Sequence, residues 1–269
     1  MAHSKRYRSA RTRTRRPVRR YRIHNAPDPF VSVIIPVLNE RRTLARVIER
    51  AAQVHPATEV IVVANGTTDG SDRIAEEMGA RVLRYGIPLG HDKGRSAGAQ
   101  AAAGRILLFI DGDMVLPAAE LRPFVHAVNN GADVALNKYQ GPVRKHDVHG
   151  VVLAKHALNA MLSRQDLGGA SLTAVPHALS RRALDLIGAD ALSVPPLAHT
   201  MAVVCGLNVH AVHTVNVGRM NRIRVRGLRR DPLESLICQD HLQAILWLME
   251  QRGPRGGHSD LTRQRERVT

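Results

Sequence analysis

The chain has 269 residues, 44% hydrophobic and only 3% aromatic, with a formal net charge of +16. That length supports a full core in one large or two small domains, and so few aromatic rings argue against the base-stacking surfaces of single-strand nucleic-acid binders. Two cysteines, Cys205 and Cys238, make no disulfide framework; their apolar sequence surroundings predict packed thiols in a reducing compartment.

The charge is concentrated at the start. Residues 1–27 hold ten Lys or Arg and no Asp or Glu, which leaves about +6 of the +16 for everything else. Residues 1–28 are therefore expected to be a basic, disordered tail, able to contact an anionic membrane or polymer but unsuited to specific nucleic-acid recognition. No apolar run reaches the length of a membrane-spanning helix, and the N-terminus lacks the apolar middle of a secretory signal. A cytoplasmic protein is expected, with a peripheral place at a membrane left open.

From Phe30 the pattern turns regular. "FVSVIIPVL" is a strand apolar on both faces, followed by Leu44, Val47, Ile48 and Ala51 at helical spacing. "TEVIVVA" is a second buried strand, and "GSDRIAEEMGA" a short helix closed by Gly79. "RVLRY" is a third strand, residues 92–103 are compatible with helix, and "RILLFI" is a fourth strand. "PAAELRPFVHAVNNG" starts a helix near Pro117 and ends it near Gly131, before a fifth strand, "ADVALN". Alternation of this kind predicts an α/β, mainly parallel, doubly wound sheet.

The second half is less periodic. Residues 148–162 and 181–187 read as helices and "LNVHAVHTVNV" as a strand. Residues 231–249 read as an amphipathic helix with Leu233, Leu236, Ile237, Ala244, Ile245 and Leu248 on one side. Residues 251–269 are Gly-, Arg- and Ser-rich and expected to be loose.

In doubly wound sheets ligands bind beyond the carboxyl ends of the strands. Three polar clusters follow strand ends here: Asn39-Glu40, Asn65 to Asp69, and Asp111 to Asp113. Asp111 and Asp113, two apart on an extended segment, point the same way and could share one hard divalent cation, Mg²⁺ or Mn²⁺; the alternative is a simple Asp-Gly turn. Gly66 would let a ligand approach the backbone, although an ordinary loop capped by Asp69 or Ser71 fits the same residues. Lys93 and Arg95 sit among glycines near a helix start, where cations can meet phosphates or simply be solvated.

Together "VSVIIPVLNE", "EVIVVANGTTDGS" and "GRSAGAQAAAGRILLFIDGDM", in that order and spacing over about residues 31–137, resemble the nucleotide-sugar half of family 2 glycosyltransferases. The resemblance implies a GT-A, Rossmann-like fold. It divides the chain into a nucleotide-sugar half at 29–137 and a smaller acceptor-side region at 138–250, within one domain at 29–250. It implies metal-dependent transfer of a sugar from a UDP- or GDP-linked donor to an acceptor that is not specified, with inversion by a single displacement. By position, Pro36, Asn39 and Glu40 fall on the first nucleotide-contacting loop, and Arg95 near the diphosphate. Asp111 and Asp113 match the family's metal and ribose contacts. Ala64 and Asn65 stand where the family often has two base-holding aspartates. His213 falls where some GT-A enzymes bring a late histidine to the metal. His210 and His213, three apart on a strand, would face opposite sides and not share an ion.

The family's acidic pair, which supplies the base for the acceptor, is replaced here by Pro195-Pro196. Asp190 and His199 are the nearest substitutes, and Asp166 and Asp240 lie further off. Asn208, Asn216 and Asn221 are candidates for sugar hydroxyls. The loss of the acidic pair keeps a second reading open, a catalytically degenerate binding or scaffold protein. A nucleotidyltransferase would want a Gly-rich loop after the first strand, where this chain has "PVLNERRTLARV".

Overall fold

The computed structural model describes residues 21–143, 148–219 and 233–259. Its strands are β1 (Val31–Val37), β2 (Thr58–Asn65), β3 (Arg81–Tyr85), β4 (Ile106–Phe109), β5 (Val134–Asn137), β6 (His177–Ser180) and β7 (Val209–His213). Its helices are α1 (Leu44–Ala52), α2 (Ser71–Glu77), α3 (Lys93–Ala101), α4 (Ala118–Asn129), α5 (Gly150–Met161), α6 (Arg181–Ile187), α7 (Pro195–Val204) and α8 (Glu234–Arg252). The strands form one sheet in the order β3-β2-β1-β4-β6-β5-β7. β2 and β4 flank β1 in parallel, so Val37, Asn65 and Phe109 all end at the same edge of the sheet.

The central strands are apolar on both faces because helices cover both. On one face α1 buries Leu44, Val47, Ile48 and Ala51, and α4 buries Leu121, Phe124, Val125 and Val128. On the other lie α3, α6 and α7, which contribute Ala99, Ala183, Leu184, Ala198 and Ala202. The alanines and glycines of α3 have a specific use. A Cβ on Gly98 would overlap a methyl of Ile34 and come 3.2 Å from Val63, so the helix rests almost directly on β1 and β2. A third, smaller cluster, Leu158, Leu162, Ala244 and Leu248, joins α5 to α8.

The sequence pattern did not reveal β6. It is four residues long and runs antiparallel to both β4 and β5. Asp133 holds it in place. Its carboxylate accepts from Ser180 Oγ at 3.1 Å, Arg182 Nη1 at 2.7 Å and the Asn208 amide at 3.0 Å, joining the approaches to β5, β6 and β7. Burial alone would raise the Asp133 carboxyl, but these donors outweigh it and hold the pKa below the usual range.

Other expectations need correction. The basic tail was expected to be free up to residue 28. Instead Ile23 is buried, its amide donates to Met78 O, and Asn25 exchanges hydrogen bonds with the backbone of Val60. The earlier part of that tail, like Asn221 and residues 260–269, lies outside the described residues. The strand expected over 207–217 is confined to Val209–His213. α8 does not present the expected stripe: His241, Ala244 and Leu248 face the core, while Leu233 and Leu236 are exposed. Cys205 is exposed rather than packed, and Cys238 half-buried. Among the described residues no helix is long and apolar enough to cross a membrane.

Candidate active site

Four loops meet at the carboxyl edge of the sheet, and side chains tie them to one another. Asn39, in the left-handed region at φ 62°, accepts through Oδ1 from the amides of Thr68 (2.8 Å) and Asp69 (3.2 Å), linking the β1 and β2 loops. Asp69 in turn accepts from the Arg41 amide and caps α2 through the Ser71 amide. Thr43 Oγ1 donates to Gly112 O at 2.9 Å, which fixes the turn between the two aspartates to the start of α1. Asn65 reaches the loop after β3, accepting from the Leu89 amide at 2.6 Å and donating to Gly90 O at 2.8 Å. These two bonds tie Asn65 to that loop. Gly66 has a similar local reason: at φ +72° a Cβ would lie 2.5 Å from the Pro88 ring.

Asp111 and Asp113 leave β4 at this junction. The Asp111 side chain is 38% exposed and lies 3.6 Å from Arg95 Nη2. Desolvation raises the Asp111 carboxyl, Arg95 opposes that, and Asp113 and Asp92 add to it. Arg95 is buried on the first turn of α3 and paired with Asp92 at 2.9 Å. Pro36 packs beneath that turn, where a Cβ on Gly94 would come 3.1 Å from the proline. Lys93, one residue into the helix, is exposed, and Glu40 is half-buried.

The candidates for a base separate clearly. Asp190 is exposed and lies along the flank of α3, accepting from Gln100 Nε2 at 2.8 Å. His199 is completely buried, with Nε2 2.8 Å from Asn159 Oδ1; burial pushes its pKa down to about 3, so it reaches no acceptor in solvent. Asp166 is spent on an exposed pair with Arg164. Asp240, on α8, is different: its carboxyl is raised by desolvation and then by Asp92, close enough for that charge and His91 to act on it. Pro195 and Pro196 are buried in the first turn of α7. His213 is bonded to Glu120 at 2.9 Å and edge-on to Phe124. Among the described residues no three His, Cys, Asp or Glu are grouped to hold an ion, so it does not join Asp111 and Asp113. His210 is exposed and bonded to Asn208, whose own amide holds Gly131 O.

The sequence offered no signal for several buried polar groups, of which His177 lies nearest this site. His177, stacked on Phe109, is fully buried and feels the charge of Arg95; burial lowers its pKa to about 3, and its Nε2 has no partner. Ser171 Oγ and Thr173 Oγ1, on the loop leading to β6, are likewise buried and unpartnered. Lys155 on α5 is buried, and desolvation alone lowers its pKa to about 8.

Comparison with known proteins gives a consistent picture. Residues 32–173, more than half of the chain, match the model of "Glycosyl transferase family 2". Glycosyltransferase AglE of Haloferax volcanii is 37% identical over 93 residues, 32% of this chain and 31% of that protein. Polyprenol monophosphomannose synthase of Mycolicibacterium smegmatis is 28% identical over 179 residues, 62% of this chain and 67% of that one. The chain thus spans under a third of the archaeal relative's length. Glucosyl-3-phosphoglycerate synthase from Mycobacterium tuberculosis, solved with Mn²⁺, UDP and phosphoglyceric acid, superposes with a TM-score of 0.59 at 22% identity. The match covers 86% of this chain and 80% of that one, a likeness of fold.

Proposed function

The chain belongs to glycosyl transferase family 2, and from that premise we propose that it moves a glycosyl group from a UDP- or GDP-linked sugar to an acceptor, with Asp111 and Asp113 as ligands of a divalent cation. The reading is carried by the Asp111 carboxylate 3.6 Å from the buried Arg95 guanidinium at the carboxyl edge of the sheet, with Asp113 near enough for its charge to act on Asp111. The donor set suits Mg²⁺ or Mn²⁺. Asp111 and Asp113 would hold the ion through their carboxylate oxygens. Such an ion supplies neutralisation of the diphosphate leaving group.

The chain's own residues do the rest. Arg95, held in place by Asp92, presents fixed positive charge to the diphosphate, and the exposed Lys93 adds to it. Asn39 and Glu40 border the nucleotide, and Asn65 and Gly66 set the loop around it. As the bond from the anomeric carbon to the phosphate oxygen breaks, the acceptor oxygen forms its bond to that carbon from the opposite face. Its proton passes to Asp240, whose carboxyl is raised by desolvation and then by Asp92, the partner of Arg95. A single displacement of this kind inverts the anomeric centre. Polyprenyl phosphates and small phosphorylated acids, the chemistries named in the similar proteins, are the first acceptors to assay.

Calorimetric titration with UDP and GDP, with and without Mn²⁺, tests the metal and donor together. Metal-dependent binding that Asp113→Asn weakens at least about tenfold is expected; binding indifferent to the ion and to that substitution refutes the reading. Proton NMR of the product decides inversion. Pro195-Pro196 in place of an acidic pair favours the binding-only alternative, which turnover on any acceptor eliminates.

A further inference from the structure

Lys155 is a charge placed where it costs stability and where the chain itself offers it no partner. It is 6% exposed on α5 and, among the described residues, makes no hydrogen bond or ion pair. No carboxylate offsets its desolvation. A methionine would fill the same space without that cost. A second unmet group lies within reach of its charge. His241 is 2% exposed on α8, which packs against α5. Burial lowers the His241 pKa, a bond to Ile237 O opposes that, and the charge of Lys155 adds to it. The bond runs from Nδ1 at 2.7 Å. A carbonyl only accepts, so Nδ1 carries the hydrogen and Nε2 of the neutral ring is left as an acceptor. That Nε2 is buried without a partner. The residue before it, Asp240, is the base of the proposed reaction, and Asp92 beside Arg95 acts on its carboxyl.

We propose that Lys155 and His241 form the seat of a phosphate monoester on the acceptor, the ammonium donating to a charged oxygen and Nε2 of His241 accepting from the P–OH. The inference rests on the reading of Asp240 as base and adds to it the chemical class of the acceptor. The choice of a phosphate follows from the pair. The ammonium has only donors and Nε2 only a lone pair, so the group that satisfies both carries a negative oxygen and a proton on its neighbour. A phosphate monoester, with a second pKa of about 6, provides both near neutral pH. A carboxylate has no proton to give, and a neutral hydroxyl brings no charge to balance the ammonium. No covalent bond changes at this seat. It holds the acceptor while the reaction proceeds beside Asp240.

The test is NMR of the full chain with ¹³C at the Cε of its lysines. There are five, and the Lys155 signal is the one missing from Lys155→Met. In the free chain it should titrate with a midpoint of about 8. Glycerol phosphate and, separately, a polyprenyl phosphate in neutral detergent are added without nucleotide or metal. A phosphate that takes the seat should raise the Lys155 midpoint towards the ordinary 10.5 and leave the other four lysines where they were. The arm that does so tells a soluble acceptor from a lipid one. Lys155→Met should bind that phosphate at least about tenfold more weakly. Sulfate, which has no proton to give, should bind the native chain at least about tenfold more weakly than inorganic phosphate. UDP with Mn²⁺ should bind the native chain and Lys155→Met alike, so a failed donor site and a failed phosphate seat are read apart. Four results would overturn the proposal. One is a Lys155 midpoint already at its ordinary value in the free chain, and another is a midpoint that neither phosphate moves, or that moves only as all the lysines do. The third is equal phosphate affinity in Lys155→Met, and the last is sulfate binding as tightly as phosphate.

Discussion

Replacing Arg95 with alanine should cost more than the loss of one surface charge. The guanidinium is 10% exposed and its partner Asp92 8%, at 2.9 Å, so the substitution leaves a carboxylate buried without its cation. Stranding one member of a buried pair costs about 3–5 kcal/mol. Asp111, 3.6 Å away and 38% exposed, can be hydrated and adds at most about 1 kcal/mol. Such a loss is a large part of the roughly 5–15 kcal/mol that holds a typical domain together. Urea unfolding followed by Trp247 emission, on the native chain, Arg95→Ala, Asp92→Asn and the double variant, measures the coupling. The double variant should be more stable than Arg95→Ala alone. An Arg95→Ala penalty below about 1 kcal/mol, or additive single effects, would refute the assigned geometry.

Other expectations follow from buried ionisable groups. His177 and His199, both held near a pKa of about 3, contribute stability that is complete above about pH 6.5 and lost as pH falls towards 3. Urea midpoints should give a combined slope of about 2.7 kcal/mol per pH unit, halved by His199→Gln. Lys155, lowered to about 8, carries its full penalty below that pH. Lys155→Met should stabilise by about 2–3 kcal/mol at pH 7, a gain that vanishes above about pH 10.5, as thermal melts at the two pH values would show. Asp133→Asn loses charge-assisted bonds from three segments and should cost about 2–3 kcal/mol, read by chemical unfolding. In the native chain the Asp133 contribution is present above about pH 4 and lost as pH falls through its lowered pKa.

The nucleotide half could be read from sequence because its signals are local and redundant. β1, β2 and β4 are runs of Val, Ile and Leu that only a doubly covered sheet accommodates, and the polar clusters follow them directly. β6 gave no such signal: four residues, His177 to Ser180, whose antiparallel place is fixed by Asp133, more than forty residues earlier in the chain. Residue type shows the hydrogen-bonding capacity of Asn65 but not its bonds to Leu89 and Gly90, which exist only once the loop after β3 is in place. The same limit applies to His199, whose ring is bonded to the distant Asn159, and to Asp240, whose relation to Asp92 exists only once α8 packs against α5 and α7. α8 misled differently. Periodicity puts Leu233 and Leu236 on the same side as Ala244 and Leu248, whereas the helix buries His241 with the latter two and leaves Leu233 and Leu236 exposed.

The bonds from Asn39 to the β2 loop, from Asn65 to the β3 loop and from Thr43 to Gly112 make each loop part of its neighbour's scaffold. A chain built this way cannot change its specificity one loop at a time. Lengthening the turn after β2, for instance, would remove the amides that Asn39 holds and loosen the approach to α1, and through Thr43 would disturb the aspartates themselves. Donor preference in such a protein is therefore a property inherited as a block. Exchanging the β1, β2, β3 and β4 loops together with a relative should transplant it, where exchanging any one of them should yield a folded chain with a disordered site.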